Sequence, residues 1–366
     1  MRSPLVALYH CLPAPARSAA ATMRGWYLNR WRRGAEVTQL RDEARERDTW
    51  NAVQWKAWRE ERLAYVLHRA ATRVPYYRAR WEARRARGDH AAWDRIENWP
   101  LLEKEAVRAH PRAFLADDCQ PRRMAKEQTS GTMGTPLQIW RSRSTVATLY
   151  AIASARTRGW DGIDPAARWA RVGGQPVTPV RQRRPPFWVW NAAMRQLYLS
   201  SYHLVPDLIP HYLDALVRYR IEYMSGYPSA IFALAQQAIR LGRTDLRMAA
   251  VYTNAEPLYD AQRRTIAKAF GGPVRQTYGM VETVAAASEC AHGRLHLWPE
   301  AGHVEVRPDG ELICTGLLNP DMPLVRYRIG DRGRFAPEDE RCPCNRSLPV
   351  LAAIERPTTL ASVSPL

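Results

Sequence analysis

The chain has 366 residues, of which 46% are hydrophobic, and a formal charge of +18, which allows one large domain or two ordinary ones with a full core. No apolar run approaches the length that crosses a bilayer, so the composition favours a soluble, globular protein. Only four of the 54 basic residues are lysines, and the arginines are spread along the chain without a nucleic-acid-binding signature, so we expect no nucleic-acid partner.

Residues 1–100 form a region in which apolar and aromatic residues recur at helical spacing. The spacing is clearest between residues 36 and 88, where Pro75 and Gly88 punctuate it. The residues at predicted core positions are Trp55, Trp58, Leu63, Val66, Leu67 and Ala70. We therefore predict a helical N-terminal region with these side chains in its core.

A basic segment with interleaved aromatic residues lies near the start of this region. Its members are Arg17, Arg24, Trp26, Tyr27, Arg30, Trp31, Arg32 and Arg33. Such a segment could make weak contact with an anionic membrane surface. The simpler interpretation, which we adopt as the expectation, is a solvated helix face whose aromatic residues pack inward.

Residues 101–356 change to an alternation of short β-type runs and helical stretches. SAIFALAQQAIRLG predicts a helix ended by Gly242, LRMAAVYTN a buried strand, LYDAQRRTIAKAFGG a helix closed by Gly271, and PVRQTYG another strand. The turn PDG between two alternating runs predicts a β-hairpin. This order is typical of a layered α/β domain with a substantially parallel sheet, followed by a short tail at 357–366.

The first candidate site is the segment 129–136, which reads Thr-Ser-Gly-Thr-Met-Gly-Thr-Pro. Gly131 and Gly134 allow the backbone to turn sharply and aim successive N–H groups inward. The hydroxyls of Ser130 and Thr132 add donors for anionic oxygens. No lysine follows the second glycine and no helix is predicted after it, so this is not a P-loop of the strand–helix type. An ordinary turn between two β-type runs is the alternative.

The second candidate site lies at strand ends, where an open α/β sheet places its ligands. Tyr278 offers a flat face to a base, Gly279 allows a ligand to approach closely, and Glu282 is an oxygen ligand of the kind that Mg²⁺ takes near phosphates. Asp331 follows a glycine at another strand end and could accept both hydroxyls of a ribose. The alternatives are a helix-start carboxylate for Glu282 and a turn residue for Asp331.

The cysteines indicate both a compartment and a metal site. Six cysteines are too sparse for a disulfide framework in this chain, so we expect the reducing cytoplasm. Cys290 and His296, brought together with Cys342 and Cys344 across a hairpin, would give the closed tetrahedral set that structural Zn²⁺ prefers. His292 competes as the fourth ligand, and four unrelated core or surface residues are the alternative.

Together these segments resemble the adenylate-forming superfamily, in the branch of phenylacetate–CoA ligases and CapK-like capsular polysaccharide biosynthesis proteins. The motifs that carry the resemblance follow in family order from VPYYRARW to about residue 354: TSGTMGTP, SGYPSAIFALA, NAEPLYDAQRRTIAKAFG, QTYGMVET, SECAHGRLHLWPEAGHVEV, GELICTGLLNPDMPLVRYRIGDRG and CPCNRSLPVL. The resemblance implies an α/β fold, the large N-terminal domain of such an enzyme. That domain has layered helices and mixed sheets, a helical N-terminal region, and a small β-hairpin region near the C-terminus.

The resemblance also implies a role for each motif residue. The residues that would hold the β- and γ-phosphates of ATP are Ser130, Gly131, Thr132 and Gly134. The residues that would line the adenine pocket are Ala255, Glu256 and Pro257. Tyr278, with Gly279 beside it, would stack on the base, Glu282 would hold Mg²⁺ and Asp331 would bind the ribose. The branch carries a similar cysteine and histidine pattern, and zinc there would pin the hairpin beside the ribose loop.

The implied reaction joins a small carboxylic acid to AMP and releases pyrophosphate. The acyl group then passes to a thiol, often of coenzyme A, or to an acceptor such as an amine. The branch implies a place in polysaccharide or secondary-metabolite biosynthesis. We take Glu282 and Thr132 as the catalytic residues, because they would hold Mg²⁺ and contact the phosphates. The acid itself is not specified. Four aromatic residues indicate either an apolar substrate or a core: Phe187, Trp188, Trp190 and Tyr198.

The sequence departs from the family pattern at three places. Met133 and Val281 stand where the family has threonines, and each exchange removes a hydroxyl from the phosphate contacts. The third departure concerns the mobile small domain with its catalytic lysine. In the family this domain follows the segment that CPCNRSLPVLAAIE resembles. Here no lysine follows Lys268. This predicts reduced activity or a partner that supplies the small domain. The alternative function is a catalytically degenerate nucleotide-binding or assembly protein.

Overall fold

The computed structural model describes residues 4–129, 136–337 and 340–355 of the chain. Contacts between residues divide the chain into two units. The first unit consists of Met1–Thr38 and Ala153–Thr277, and the second of Gln39–Ile152 and Tyr278–Leu366. Each unit has its own hydrophobic core.

Helices dominate the first hundred residues, as the spacing predicts. They are α1 (Pro4–Cys11), α2 (Ala14–Arg32), α3 (Ala35–Arg47), α4 (Ala52–Arg73), α5 (Pro75–Ala86) and, just beyond, α6 (Lys104–Ala109). Short 3₁₀ helices lie at Ile96–Asn98, Pro111–Phe114, Pro121–Arg123 and Ser201–His203. Asn51 begins α4 with a capping box, in which its side chain accepts a hydrogen bond from the Gln54 backbone N–H and the Gln54 side chain accepts one in return. Pro75 begins α5, where its missing N–H has no cost.

The apolar face of α4 packs into the core of the second unit. Val66, Leu67 and Ala70 are fully buried there, and Trp55 is 3% exposed. Trp99 and Phe114 are also fully buried in the second unit. The predicted helical core is therefore confirmed for the four α4 residues named above, whereas Trp58 and Leu63 are only half-buried.

Two of the three aromatic residues of α2 contradict the sequence-based expectation, and the third, Trp31, is half-buried. Trp26 is 68% exposed and Tyr27 is 55% exposed, so the prediction that they pack inward is wrong. The physical reason lies on the opposite face of the helix, whose polar side chains bind the backbone of a strand in the same unit.

A strand pair frames the predicted phosphate loop. The elements after α6 are β1 (Ala125–Gln128), β2 (Gln138–Arg141) and α7 (Arg143–Arg156). The strands β1 and β2 are antiparallel, and Thr129 and Leu137 close the pair with hydrogen bonds of 2.9 and 3.1 Å. The prediction that β-type runs flank the loop is confirmed, but Ser130, Gly131, Thr132, Met133 and Gly134 lie outside the described residues.

The first unit is built on a sheet that is parallel except at one edge. Its elements are β3 (Trp169–Gly173), β4 (Trp188–Asn191), β5 (Gln196–Ser200), α8 (Ile209–Arg218), β6 (Tyr223–Gly226), α9 (Pro228–Arg240), β7 (Ala250–Thr253), α10 (Asp260–Phe270) and β8 (Val274–Gly279). The strand order is β8-β7-β6-β3-β5-β4, and only the β4–β5 pair is antiparallel. The last two residues of β8 belong to the second unit.

The sequence signals of this sheet are confirmed. All four residues of β7 are buried, as expected for a strand covered on both faces. Gly242 follows α9 with φ +62°, and Gly271 closes α10 in the left-handed conformation with φ +67°. The Gly271 N–H donates to the Ala267 carbonyl at 2.8 Å, which satisfies a carbonyl of the last turn.

The second unit contains an antiparallel sheet. Its strands are β9 (Ala286–Glu289), β10 (Leu295–Leu297), β11 (Gly302–Val306), β12 (Glu311–Gly316), β13 (Tyr327–Phe335) and β14 (Val350–Glu355), in the order β11-β12-β13-β14-β10-β9. The PDG turn joins β11 to β12 with Gly310 at φ +85°, so the predicted hairpin is confirmed. No helix among the described residues combines the length and apolar character needed to cross a membrane.

Candidate active site and metal centre

In the first unit, the candidate residues follow β7 in a tight turn. Ala255 adopts φ +66°, a left-handed conformation that non-glycine residues enter at some cost. The Asn254 N–H donates to the Gly226 carbonyl at 3.1 Å, and the Glu256 N–H donates to the Asn254 carbonyl at 2.8 Å. The Glu256 carboxylate accepts a hydrogen bond from the Ser229 N–H at 3.0 Å, at the N-terminus of α9. This bond fixes the turn, because a helix N-terminus stabilises a negative charge.

In the second unit, Tyr278 and Asp331 lie together. The Tyr278 hydroxyl donates to Asp331 Oδ2 at 2.7 Å. The tyrosine is 4% exposed and packs in the core of the unit, whereas the aspartate is half-buried. Burial of the ring and a short charge-assisted hydrogen bond hold this carboxylate in one orientation. The predicted base-stacking and ribose-binding residues are therefore direct neighbours.

Glu282 lies in the same unit with two polar neighbours on one oxygen. Its Oε1 accepts a hydrogen bond from the Tyr327 hydroxyl at 3.1 Å and is 3.7 Å from the ammonium of Lys104. Burial, together with the nearby Glu282 charge, raises the pKa of Tyr327, so the phenol stays a donor. No described residue donates to Glu282 Oε2. An oxygen of this kind fits Mg²⁺, which binds through one or two carboxylates together with phosphates.

Arg141 is a residue of this region that sequence reasoning missed. It is 4% exposed at the end of β2, pairs with Glu127 at 3.0 Å and donates to the carbonyl of Val281. Its Nε has no hydrogen-bond partner among the described atoms. The guanidinium thus ties the strand after the predicted phosphate loop to the QTYGMVET segment. Only its place directly after that loop could have drawn attention to it.

The cysteine and histidine residues assemble as predicted. Cys290 follows β9, His296 lies on β10, and Cys342 and Cys344 precede β14. One ligand atom from each of the four lies within 4.8 Å of every other. His292, the competing ligand, is exposed and is not a member of this group.

The surroundings of His296 favour metal coordination. Its Nδ1 is 3.2 Å from the Leu348 carbonyl, which can only accept, so Nδ1 carries the proton. The Nε2 lone pair then points towards Cys344 Sγ, which is 3.3 Å away. Burial lowers the pKa of His296, so the imidazole is neutral, as a metal ligand must be. Three sulfurs and one such nitrogen match a structural zinc site.

The aromatic residues near 187–198 are core residues in part. Phe187 is fully buried and its ring stacks against His203 at 4.9 Å. Tyr198 is 7% exposed, and a Cβ on Gly173 would lie only 2.5 Å from its hydroxyl. The glycine is therefore required where the tyrosine crosses the end of β3, a feature that sequence reasoning missed.

Comparison with known proteins supports the resemblance. No protein-family model matches the chain. The chain is 27% identical over 244 residues to the protein CapK of Staphylococcus aureus, which covers 64% of this chain and 53% of CapK. It is 26% identical over 305 residues to the phenylacetate-coenzyme A ligase of Pseudomonas putida, which covers 77% of this chain and 66% of the ligase. The match thus spans about half the length of CapK and about two thirds of the ligase.

Solved structures agree on the fold. A 2-hydroxyisobutyryl-CoA ligase, in a postadenylation state with R3-HIB-AMP, superposes with a TM-score of 0.61 at 20% identity, covering 83% of this chain and 68% of the ligase. Its open conformation with 2-HIB-AMP and CoA gives 0.62 at 19% identity, with 83% and 75% covered. The fold is that of the large domain of adenylate-forming enzymes. Among curated proteins, the chain is similar in sequence to CapK and to phenylacetate–CoA ligases, at 27% and 26% identity.

Proposed function

We propose that the protein activates a carboxylic acid as an acyl-adenylate at the expense of ATP and passes the acyl group to coenzyme A or another acceptor. The observation that carries the proposal is the Tyr278–Asp331 hydrogen bond of 2.7 Å, because it joins the two positions that family members use for the base and the ribose. Glu282, buried in the same unit, supplies an oxygen for Mg²⁺.

The chemistry needs no nucleophile from the protein. An oxygen of the substrate carboxylate attacks the α-phosphorus of ATP, the bond to the bridging oxygen breaks, and pyrophosphate leaves with the electron pair. The chain contributes alignment and neutralisation of phosphate charge. Ser130, Gly131, Thr132 and Gly134 are proposed for the phosphates, and the turn at Ala255, Glu256 and Pro257 for the adenine. Bound Mg²⁺ would neutralise charge that develops on the phosphate oxygens.

We place the acid beside the end of β3 in the first unit. Gly173 and Gly174 add no side chains of their own at the strand end, and tyrosine hydroxyls lie close to both glycines. The Tyr202 hydroxyl donates to the Gly174 carbonyl at 2.8 Å, and the Tyr227 hydroxyl would be 3.5 Å from a Cβ on Gly174. Ligands of open α/β sheets bind at such strand ends, so this position supports an acid site.

A second candidate function is nucleotide binding without turnover, and Val281 favours it. Valine offers no hydroxyl to the adenylate phosphate, and its carbonyl is already bound by Arg141. If the missing hydroxyl limits the reaction, Val281→Thr should raise the rate about tenfold, the effect of one hydrogen bond made in the transition state. Val306→Thr, at a half-exposed position in β11, is the matched control.

Exchange of labelled pyrophosphate into ATP tests the two candidates. The folded protein is incubated with ATP, Mg²⁺ and a panel of aryl, acyl and amino acids. Exchange that depends on one class of acid is the result expected for adenylation. Tight binding of AMP in a calorimeter without exchange for any acid, in both the wild type and Val281→Thr, would support the second candidate and overturn the first.

We also propose that Cys290, His296, Cys342 and Cys344 bind a structural Zn²⁺. The proposal is supported by their mutual ligand distances within 4.8 Å and by the proton on His296 Nδ1. We expect about one zinc per chain by elemental analysis and a lower melting temperature after chelation. Cys344→Ser should lose the metal, whereas Cys314→Ser, in the buried β12, should keep it. Equal zinc content in both variants would contradict the assignment.

A further inference from the structure

The helix α2 turns its polar face inward. The Trp190 N–H donates to Ser18 Oγ at 3.2 Å, the Ala192 N–H donates to Thr22 Oγ1 at 3.1 Å, and Asn29 Nδ2 donates to the Ala193 carbonyl at 2.6 Å. Trp190 lies in β4, the edge strand of its sheet, and Ala192 and Ala193 follow in the next turn, so the sheet itself supplies no partners on this side. Gly25 allows this approach, because a Cβ there would overlap the side chain of Asn191.

The opposite face of α2 is apolar and exposed. Met23 and Trp26 are each 68% exposed and Tyr27 is 55% exposed. Their spacing of three and four residues places them on one stripe of the helix. Leu8 of the preceding α1 is 66% exposed as well. Large apolar side chains that cluster on a surface in this way mark an interaction site.

The charge around this stripe is strongly positive. Residues 4–38 contain five arginines, of which Arg17 is buried, and a single acidic residue, Glu36. Arg24 lies in the segment from Met23 to Tyr27, and Arg30 follows three residues later. Both arginines are exposed. Arg24 forms no ion pair with any residue that the structure describes. An apolar stripe bordered by arginines is complementary to a surface that is both apolar and anionic.

We propose that α2 lies in the interface of an anionic lipid bilayer, with Met23, Trp26 and Tyr27 in the headgroup region. Arg24 and Arg30 then contact lipid phosphates. Tryptophan and tyrosine suit this position because their rings are amphipathic. A second copy of the chain fits less well, since a two-fold pair of these stripes brings arginines of like charge together. The helix lies on the surface of the membrane rather than across it, because its polar side chains remain bonded to β4.

Sedimentation of the full chain with vesicles tests the proposal. We expect binding to vesicles of equimolar phosphatidylglycerol and phosphatidylcholine, and weak binding to phosphatidylcholine alone. The double variant Trp26→Ser, Tyr27→Ser should weaken partitioning about tenfold, and Arg24→Gln about fivefold. The matched controls are Tyr65→Ser, 46% exposed on α4, and Arg240→Gln, exposed in the last turn of α9. Both controls should bind like the wild type.

A second measurement reports position rather than affinity. Lipids brominated near the headgroup should quench part of the tryptophan fluorescence of the wild type, and Trp26→Phe should bind equally well but lose that part. Equal binding of the double variant and the wild type, no binding of the wild type to anionic vesicles, or a concentration-dependent dimer that the double variant abolishes would each overturn the proposal.

Discussion

Asp331 is the residue on which the proposed nucleotide site depends most. Its carboxylate is oriented by the buried Tyr278 hydroxyl, so it presents its acceptors to a ligand without a loss of side-chain entropy at binding. Glu282 is arranged differently, since one oxygen is engaged by Tyr327 and the other accepts no hydrogen bond from the part of the chain that the structure describes. These two carboxylates divide ribose recognition and metal binding between them in the proposed mechanism.

Asp331→Asn should raise the Kd for AMP about tenfold. The amide keeps an acceptor for the Tyr278 hydroxyl but loses the charge that strengthens hydrogen bonds from ribose hydroxyls. Titration calorimetry measures the change, and the circular dichroism spectrum should match that of the wild type. Asp309→Asn, at the exposed turn of the β11–β12 hairpin, is the control. An unchanged Kd for Asp331→Asn would remove this residue from the nucleotide site.

His203 makes the stability of the protein depend on pH. The ring is 1% exposed, contacts Ser200 Oγ at 3.0 Å through Nδ1 and donates from Nε2 to the Pro179 carbonyl at 3.2 Å. Burial lowers its pKa below the ordinary value of about 6.5, although the backbone contacts at 179 and 180 oppose this. The unfolded chain therefore binds a proton more readily than the folded one, and stability present above about pH 6.5 is lost as the pH falls.

The free energy of unfolding should therefore decrease between pH 7.5 and pH 5.5 when it is measured in denaturant. His203→Gln should show a smaller decrease over the same interval, and His211→Gln, on the exposed face of α8, should behave like the wild type. The half-buried His303, whose pKa desolvation also lowers, accounts for part of the remaining slope. An identical slope in His203→Gln and the wild type would contradict this assignment.

At the scale of elements, the positions of helix ends follow from local chemistry. The capping box at Asn51 begins α4, and the left-handed Gly271 ends α10. Each device satisfies backbone groups that the helix itself leaves without partners. The edge strand β4 is satisfied in another way, by the polar side chains of α2.

Asn51→Ala should lower the free energy of unfolding by about 1 kcal/mol. The substitution removes the acceptor of the Gln54 N–H, and the reciprocal bond to the Gln54 side chain loses the geometry of the capping box. Denaturant unfolding measures the difference. Val53→Ala, which is 76% exposed in the same first turn, should change stability by less than about 0.5 kcal/mol. A loss in the control as large as that in Asn51→Ala would show that helix propensity, rather than capping, is the cause.

For the whole molecule, patterns of period and punctuation were enough to predict the helical N-terminal region, the α/β alternation and the hairpin. They could not predict which face of α2 is buried, because periodicity defines two faces and the edge backbone of β4, through the Trp190 N–H, binds the polar one. The role of Arg141 also depends on contacts distant in sequence, since it reaches from β2 to the carbonyl of Val281. The family resemblance predicts that Tyr278 and Asp331 share one site, but their direct hydrogen bond required coordinates.

The central claim is that this chain forms an acyl-adenylate, and the path of one oxygen atom tests it most directly. The protein is supplied with ATP, Mg²⁺, hydroxylamine as the acceptor, and an acid that supports pyrophosphate exchange, labelled with ¹⁸O in its carboxylate. Attack of the carboxylate on the α-phosphorus places one labelled oxygen in the phosphate of AMP when the hydroxamate forms, and mass spectrometry should find it there. Label in inorganic phosphate, or AMP without label alongside hydroxamate, would contradict the account.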